Sequence, residues 1–263
     1  MKQLNKKKSR IEFHAEKLAN AFLKNKIIAP IPSIYSKKMS QAKKFKDICE
    51  IKVKKPVIGF KAGGTGLPML KKLKEKEPFF AKVYSHNFLK NNKSVKINKY
   101  TLGIELEVCY KIKRNFFNFK RKITTNNIKR FISNVAPCIE IVGYRQRKKG
   151  LKTLGDLCSD FGANVKFIIG PQKKLSNIKA NNLKTTIFNK KFNHLVKGNT
   201  NTVYINPLNS LKFVLNKIQL EKIQLNKNFY VFTGSTVGVV PIAGKGLYIG
   251  EIEKLGSVKT KIT

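Results

Sequence analysis

Acidic residues are scarce in this chain, so those that recur at short spacing are the first candidates for chemistry. The chain has 14 acidic residues against 55 basic ones, yet Glu105 and Glu107 are separated by a single residue. Polar and apolar residues alternate over 101–110, which is typical of a half-buried strand and points both carboxylates to one face. Neighbouring carboxylates repel each other, and a divalent cation, which prefers oxygen ligands, would relieve that repulsion. The alternative is a solvent-facing pair on an amphipathic strand.

Glu140 is the third acidic candidate. It lies 33 residues beyond Glu107, within the apolar run 138–142. A carboxylate buried in such a run must be ion-paired, protonated or bound to a metal. Its spacing from Glu107 fits a succession of strand, loop, helix and strand. Glu140 is therefore either a third metal ligand or the partner of a basic residue such as Arg145.

The elements that must position these residues follow from the hydrophobic spacing. It predicts helices over 10–25, 40–48, 126–135 and 207–218, and strands over 57–61, 101–110, 138–142, 165–170 and 229–232. Hairpins are expected around 189–190 and 254–256. The order of elements predicts a small helical N-terminal segment over 1–55 and a β-rich domain over 56–263. We expect an α+β fold built on a folded-over sheet.

Composition limits the class of protein. The 263 residues are 41% hydrophobic, which is ordinary for a globular domain. No run approaches the roughly 20 apolar residues of a membrane helix, and the charged N-terminus lacks the apolar core of a signal peptide. Cysteines occur at 49, 109, 138 and 158 without a CxxC pair, which predicts reduced thiols. These features predict a soluble cytoplasmic protein with no membrane partner.

The net charge of +41 allows two interpretations. One is a protein that binds nucleic acid, with Phe116, Phe117 and Phe119 among basic residues as a stacking patch. The other is a compositional bias, because lysines are spread along the chain and arginine, the better phosphate ligand, occurs at only six positions. The scarcity of arginine favours the second interpretation and argues against a nucleic-acid partner.

Several motifs in order resemble one enzyme family. Glu105-x-Glu107, followed by the segment from Pro137 through Glu140 to Arg145, is similar to the 2-keto-4-pentenoate hydratase and 4-oxalocrotonate decarboxylase branch of the fumarylacetoacetate hydrolase superfamily. Further similar motifs are Gly59-Phe-Lys61-Ala-Gly, Asp160-Phe-Gly-Ala, Ile168-Ile-Gly170, Asn206-Pro-Leu-Asn209, Thr233-Gly-Ser235 and the segment 250–258. The resemblance extends from about residue 15 to the C-terminus.

The resemblance implies a mixed β-roll of the fumarylacetoacetate hydrolase C-terminal type and a set of site residues. By resemblance, Glu105, Glu107 and Glu140 hold Mg²⁺ or Mn²⁺, which binds a small-molecule 2-oxo acid. Lys61 falls on the family's active-site lysine, while Asp160, Thr233 and Ser235 fall on substrate-binding positions. Members of the family commonly form homo-oligomers, so we expect one here.

The implied reaction adds water to a 2-hydroxydienoate and gives a 4-hydroxy-2-oxo acid. A decarboxylase of a 2-oxo-dioate is the alternative within the same fold, and a non-catalytic relative that keeps the metal site is a third. One departure concerns the family's usual Asp, which lies near the position of Ser85. No acidic residue lies between Glu77 and Glu105, so a general acid/base is missing or replaced. His86 has a suitable intrinsic pKa, although a lone histidine is more often structural.

Overall fold

The computed structural model describes residues 9–98, 101–146, 153–175 and 179–263. Contacts between elements divide the chain into two units, Met1–Lys54 with Tyr144–Ala163 and Lys55–Gly143 with Asn164–Thr263. The predicted division near residue 55 differs from this, because it assigned 144–163 to the β-rich domain.

The first unit is built from helices whose ends are capped. Helix α1 (Arg10–Leu23) begins at a capping box between Ser9 and Glu12, and it buries the apolar stripe expected from its spacing. Helix α2 (Met39–Lys52) is longer than predicted at both ends. Helix α4 (Leu154–Ser159), which the hydrophobic spacing did not indicate, packs against α2.

Hydrogen bonds explain why the later segment belongs to this unit. Thr153 Oγ1 donates to the Ser36 carbonyl at 3.1 Å, and Ser36 Oγ donates to Asp156 Oδ1 at 2.8 Å. Gly155 allows the backbones to approach, because a Cβ atom there would lie 2.2 Å from the Ser36 carbonyl oxygen. These are tertiary contacts between residues more than 100 positions apart, which local patterns do not reveal.

The second unit contains two mixed sheets. The seven-stranded sheet has the order β2-β1-β10-β5-β6-β7-β3, and the five-stranded sheet has the order β4-β12-β11-β8-β9. The strands are β1 (Val57–Gly63), β2 (Phe79–Tyr84), β3 (Phe88–Lys90), β4 (Ser94–Val95), β5 (Thr101–Ile112), β6 (Ile132–Gly143), β7 (Asn164–Ile169), β8 (Lys184–Asn189), β9 (His194–Asn199), β10 (Phe229–Ser235), β11 (Gly246–Ile252) and β12 (Gly256–Ile262). This mixed α+β architecture confirms the predicted fold class.

The two faces of the seven-stranded sheet differ in chemistry. One face contributes Leu106, Val108 and Ile139 to the main core, against which α5 (Pro207–Leu220) also packs. The opposite face carries a smaller apolar cluster of Val83, Cys109, Ala136, Cys138, Phe167, Ile169 and Phe232. The predicted alternation along β5 is therefore confirmed, since its apolar and acidic residues lie on separate faces.

The second unit also contains the short helix α3 (Leu67–Lys72).

One predicted element is wrong, and two residues of the alternative stacking patch are buried. The helix predicted over 126–135 is wrong, because a single 3-10 turn (Ile128–Phe131) precedes β6 and the strand pairs Val135 with Tyr110. Phe116 and Phe117 are buried in the main core, so they offer no faces for stacking bases.

All four cysteines are buried free thiols. Among the described residues, no helix has the length and apolar character needed to cross a bilayer.

Candidate metal centre

Strand pairing brings the three candidate carboxylates together. Glu105 on β5 lies directly opposite Glu140 on β6, and Glu107 is two residues along the same face. One carboxylate oxygen from each residue lies within 4.8 Å of the other two. Across the described parts of the chain, this is the one group of three or more His, Cys, Asp or Glu side chains so arranged.

Lys61 supplies the positive charge of this cluster. It lies on β1, opposite Phe232 of β10, and its Nζ atom donates to Glu140 Oε1 at 2.6 Å and Oε2 at 2.7 Å. The Phe167 ring lies beside it, with its centroid 5.9 Å from Nζ. Glu140 is thus paired with Lys61, whereas Arg145, the partner considered from the sequence, forms its ion pair with Asp160.

Glu107 has one satisfied and one unsatisfied oxygen. The side chain is fully buried, and its Oε2 atom accepts a hydrogen bond from the Gly234 amide at 3.0 Å. Its Oε1 atom is buried and faces no nitrogen or hydroxyl donor within the described ranges, and a proton shared with the neighbouring Glu140 carboxyl group is a hydrogen bond open to the side chain there. A buried acceptor without a donor is costly, and such atoms in folded proteins point to an ion or ligand.

The cluster shifts the pKa of each member. Burial raises the pKa of Glu105 to about 7, and the charge of Glu140 adds to this effect. Burial also raises the pKa of Glu107 to about 7, although Lys61 opposes the shift. For Glu140, burial raises the pKa well above the usual range despite its contact with Lys61. Glu105 and Glu107 therefore hold protons at a pH where exposed glutamates are ionised, whereas Glu140 is the carboxylate that pairs with the Lys61 ammonium.

The pKa of Lys61 is set by neighbouring charges more than by burial. Burial lowers its pKa, but the attraction of Glu140, Glu105 and Glu107 outweighs burial and raises it. The three carboxylates explain this direction, because each favours the ammonium form.

The charge balance fits a divalent cation. When ionised, three carboxylates and one ammonium leave two negative charges in a buried site. All the available ligand atoms are carboxylate oxygens, which are the donors that hard divalent ions prefer. The unsatisfied Glu107 Oε1 atom provides an open ligand position. Glu105, Glu107 and Glu140 can therefore hold such an ion.

Thr233 and Ser235 lie beside this site, on the strand next to β5. The Thr233 hydroxyl is buried and donates to the Val108 carbonyl at 2.9 Å, while the Ser235 hydroxyl donates to the Gly238 carbonyl at 2.7 Å. Both hydroxyls are therefore engaged with backbone, and their assignment to substrate binding stays a prediction.

Asp160 and His86 are placed in other surroundings. Asp160 lies in the first unit, where its Oδ1 atom forms an ion pair with Arg145 Nε at 2.9 Å. His86 belongs to a 3-10 turn (Ser85–Asn87), and its ring centroid lies 6.2 Å from that of Tyr84. Its carbonyl accepts a 2.5 Å hydrogen bond from Lys166 Nζ. The roles predicted for Asp160 and His86 remain untested by these contacts.

Sequence reasoning missed the Gly234 amide and the apolar surroundings of the cluster. Cys109 and Cys138 lie on the same sheet face as the carboxylates, and Phe167 is the direct neighbour of Glu140 on β7. The period-two alternation of β5 already placed Cys109 on this face, so that part of the signal was present. The Gly234 amide had no comparable signal.

Solved structures share this architecture. 4-Oxalocrotonate decarboxylase from Pseudomonas putida G7, complexed with magnesium and adipate, superposes with a TM-score of 0.81 at 17% identity, covering 98% of this chain and 100% of that one. The same enzyme complexed with calcium and acetate gives a TM-score of 0.80 at 17% identity, with the same coverage. This chain has the fumarylacetoacetate hydrolase fold.

A more distant match is fumarylpyruvate hydrolase from Pseudomonas aeruginosa, in complex with Mn²⁺ and pyruvate. It has a TM-score of 0.59 at 14% identity and covers 80% of this chain and 91% of that one. No family model and no curated protein matches the sequence. At these identities the similarity establishes the fold, and the predicted resemblance is supported at that level.

Proposed function

We propose that this chain is a divalent-metal-dependent lyase acting on a 2-oxo acid, with hydration of a 2-hydroxydienoate as its first candidate reaction. The observation that carries the proposal is the group of half-buried Glu105 with buried Glu107 and Glu140, in which one oxygen of Glu107 is unsatisfied. Mg²⁺ or Mn²⁺ is the expected ion. The metal and ligands present in the structures of similar fold, magnesium with adipate and Mn²⁺ with pyruvate, agree with this choice.

The ion and the protein have separate tasks in this proposal. A divalent cation held by the three carboxylates would supply positive charge that stabilises an enolate-like 2-oxo acid. The apolar residues on the same sheet face, including Phe167 and Phe232, exclude water and strengthen electrostatic interactions in the site.

Lys61 is the proposed proton carrier. Its ammonium group is in direct contact with the cluster and is kept protonated by the carboxylates. Once the carboxylate charges are compensated, burial is the main influence left on Lys61, and burial lowers its pKa. Lys61 can then give a proton to C5 of the dienol while the 2-hydroxyl group loses its proton, which gives the unsaturated ketone. Water then adds across C3 and C4, with its hydroxyl at C4 and its proton at C3. A lysine with a pKa brought nearer to neutrality is suited to such proton transfer.

Decarboxylation of a 2-oxo-dioate is the second candidate. It is favoured by the fold similarity to 4-oxalocrotonate decarboxylase, whose structure holds adipate, a dicarboxylate. A basic side chain also follows on the acid-bearing face of β5, since Lys111 lies four residues beyond Glu107 and its Nζ atom is 5.8 Å from the Tyr230 ring centroid. Such a residue is suited to a second carboxylate.

An ultraviolet assay separates the two reactions. The protein is supplied with Mg²⁺ or Mn²⁺ and with either 2-hydroxypenta-2,4-dienoate or 4-oxalocrotonate. Loss of dienol absorbance without CO₂ release supports the hydratase, and CO₂ release from 4-oxalocrotonate supports the decarboxylase. Glu105→Gln should abolish turnover, whereas Glu251→Gln, which alters an exposed residue on β11, should not. Absence of turnover with both substrates and both metals would refute the enzymatic proposal.

Assembly into a homo-oligomer is a further part of the proposal that rests on the resemblance. Light scattering coupled to size-exclusion chromatography measures it directly, and a monomeric mass across the concentration range would contradict it.

A further inference from the structure

A β-bulge on β10 lies directly beside Glu107. Phe232 pairs with Cys109 and Ser235 pairs with Glu107, so two residues of β10, Thr233 and Gly234, face the single residue Val108. An extra residue in one strand interrupts the ladder of backbone hydrogen bonds and redirects the groups around it. The interrupted stretch therefore needs substitute donors.

Two threonine hydroxyls provide these donors. Thr233 Oγ1 donates to the Val108 carbonyl at 2.9 Å. Thr236 donates to the Leu106 carbonyl through both its amide and its Oγ1 atom, each at 2.8 Å. Val108 and Leu106 are the residues on either side of Glu107, so the two threonines fix β5 at both neighbours of the candidate ligand. Both threonine side chains are buried.

Helix α5 fixes the same bulge from the other side. Ser210 Oγ on α5 donates to the Thr233 carbonyl at 2.7 Å. The bulge is thus held by side-chain hydrogen bonds both to β5 and to a helix of the same unit.

Gly234 is free to point its amide away from the ladder. Its φ of +101° lies in a region that favours glycine, and a Cβ atom there would lie only 2.1 Å from Thr65 Oγ1. The amide donates to Glu107 Oε2 at 3.0 Å. Because this bond occupies Oε2, the unsatisfied oxygen of Glu107 is Oε1, the atom that faces no donor in the described structure.

We propose that Thr233 and Thr236 are positioning residues for metal binding, acting through the Gly234 amide to orient Glu107. The hydroxyls hold the bulge, the bulge aims the amide at Oε2, and Oε1 is left to bind a divalent cation. This inference rests on the proposed function, because it gives the metal site its orienting partners. It also gives Thr233 a role different from the substrate contact predicted by resemblance.

A purely structural role for these hydroxyls is the competing explanation. Any buried threonine bound to a strand carbonyl stabilises its sheet, and the chain contains a matched example. Thr260 on β12 is fully buried, and its Oγ1 atom donates to the Lys93 carbonyl at 2.8 Å. It belongs to the five-stranded sheet, which lacks the three carboxylates. Thr260→Val therefore removes the same kind of bond without touching the support of Glu107.

The test measures Mn²⁺ affinity by electron paramagnetic resonance, together with the thermal midpoint, for the full-length protein. Thr233→Val and Thr236→Val should each weaken Mn²⁺ binding by about 10-fold or more, in the range seen for residues that orient metal ligands. Thr233→Ser keeps a hydroxyl and should restore affinity to near the wild-type value. Thr260→Val should lower the midpoint by a similar amount while leaving the Mn²⁺ affinity unchanged.

Each outcome bears on the inference. Unchanged affinity in both Thr233→Val and Thr236→Val would overturn it, as would an equal loss of affinity in Thr260→Val. If a valine variant does not fold, Thr233→Ser and a Thr236→Ser variant still provide the comparison, and a loss of affinity in either serine variant counts against the hydroxyl as the orienting group. If the wild-type protein binds no Mn²⁺, both the inference and the proposed function fail. If Mn²⁺ binds with the expected pattern but no 2-oxo acid or dienol is consumed, the positioning stands and the reaction fails.

Discussion

The Arg145–Asp160 pair of the first unit and the Lys61 cluster of the second unit differ in whether their buried charges balance. In the first unit, Asp160 is buried beside Arg145, and its carboxylate accepts two hydrogen bonds and forms one ion pair. Arg145 Nε lies 2.9 Å from Oδ1, and the Arg145 amide and Gln146 Nε2 donate to Oδ2 at 3.0 and 3.2 Å. One negative charge thus faces one positive charge, with the Oδ1 contact made as an ion pair and not as a hydrogen bond.

In the second unit, Lys61 is the ammonium within a group of three carboxylates. It contacts both oxygens of Glu140, while Glu107 keeps an oxygen without a donor in the part of the chain that the structure describes. Burial, reinforced by the neighbouring carboxylates, raises the pKa values of Glu105 and Glu107 to about 7, so protons can compensate part of this negative charge.

The contrast distinguishes a structural cluster from a binding cluster. In a balanced pair each charge compensates the burial of the other, and removing one partner leaves an uncompensated charge. An unbalanced cluster opposes folding unless protons or a cation compensate it. The two clusters should therefore respond in opposite ways when a carboxylate is replaced by its amide.

The largest expected effect is on activity at the unbalanced cluster. Glu107→Gln removes the unsatisfied oxygen charge and should lower kcat/KM by on the order of 10³-fold, because a charge-stabilising group in a dry site is lost. The folded state should persist, since a costly buried carboxylate has been neutralised. Steady-state kinetics with saturating Mg²⁺ and circular dichroism test this, with Asp160→Asn measured alongside. A Glu107→Gln protein with full activity would place the chemistry elsewhere.

The next effect concerns stability at the balanced cluster. Asp160→Asn leaves the buried Arg145 charge without its partner and should cost about 3–5 kcal/mol in the free energy of unfolding. Denaturant titration measures this change. Mn²⁺ affinity should stay unchanged if the two clusters are independent. A neutral effect on stability combined with weaker Mn²⁺ binding would instead support the substrate-site role predicted for Asp160.

Local alternation explains how much of the metal centre the sequence could predict. The period of two along β5 placed Glu105 and Glu107 on one face, and the apolar run around Glu140 indicated burial. These patterns depend only on neighbouring residues, so they can be recognised without knowledge of the fold. The prediction of α1 and α5 from helical spacing was confirmed for the same reason.

Long-range pairing explains what the sequence could not predict. The contact between Lys61 and Glu140 depends on the parallel pairing of β1 with β10, whose residues are about 170 positions apart. Lys61 was singled out by family resemblance, because one lysine among many carries no local signal. The Gly234 amide depends on a bulge register, which no residue pattern marks. The helix predicted over 126–135 is wrong for the same reason, because long-range pairing with β5 holds Ile132 and Val135 in a strand.

A smaller effect is expected in the pH dependence of stability without divalent ions. Glu107 has its ordinary pKa near 4.5 in the unfolded chain and about 7 in the folded one, so the folded state binds the extra proton between these values. Stability should fall as pH rises through this window and level off above pH 7, by on the order of 3 kcal/mol for this group. Denaturant titrations at pH 5 and 8 in the presence of a chelator measure the change.

Glu107→Gln is the matched comparison for that pH profile. The variant should gain stability relative to wild type between pH 5 and 8, whereas Asp160→Asn should follow the wild-type slope. Parallel profiles for wild type and Glu107→Gln would show that Glu107 is ionised at low pH and that the cluster is already compensated.

The smallest expected effect is the stabilisation produced by the ion itself. A ligand at ten times its dissociation constant stabilises the folded state by about 1.4 kcal/mol, which corresponds to a rise of roughly 3–6 °C in the melting temperature of a chain of this size. Differential scanning fluorimetry with Mn²⁺ should show this rise for wild type and for Asp160→Asn, but not for Glu107→Gln. An equal rise in all three proteins would mean that Mn²⁺ acts away from the carboxylate group. Because the unbalanced cluster is the one that a cation completes, only a change there should remove the response.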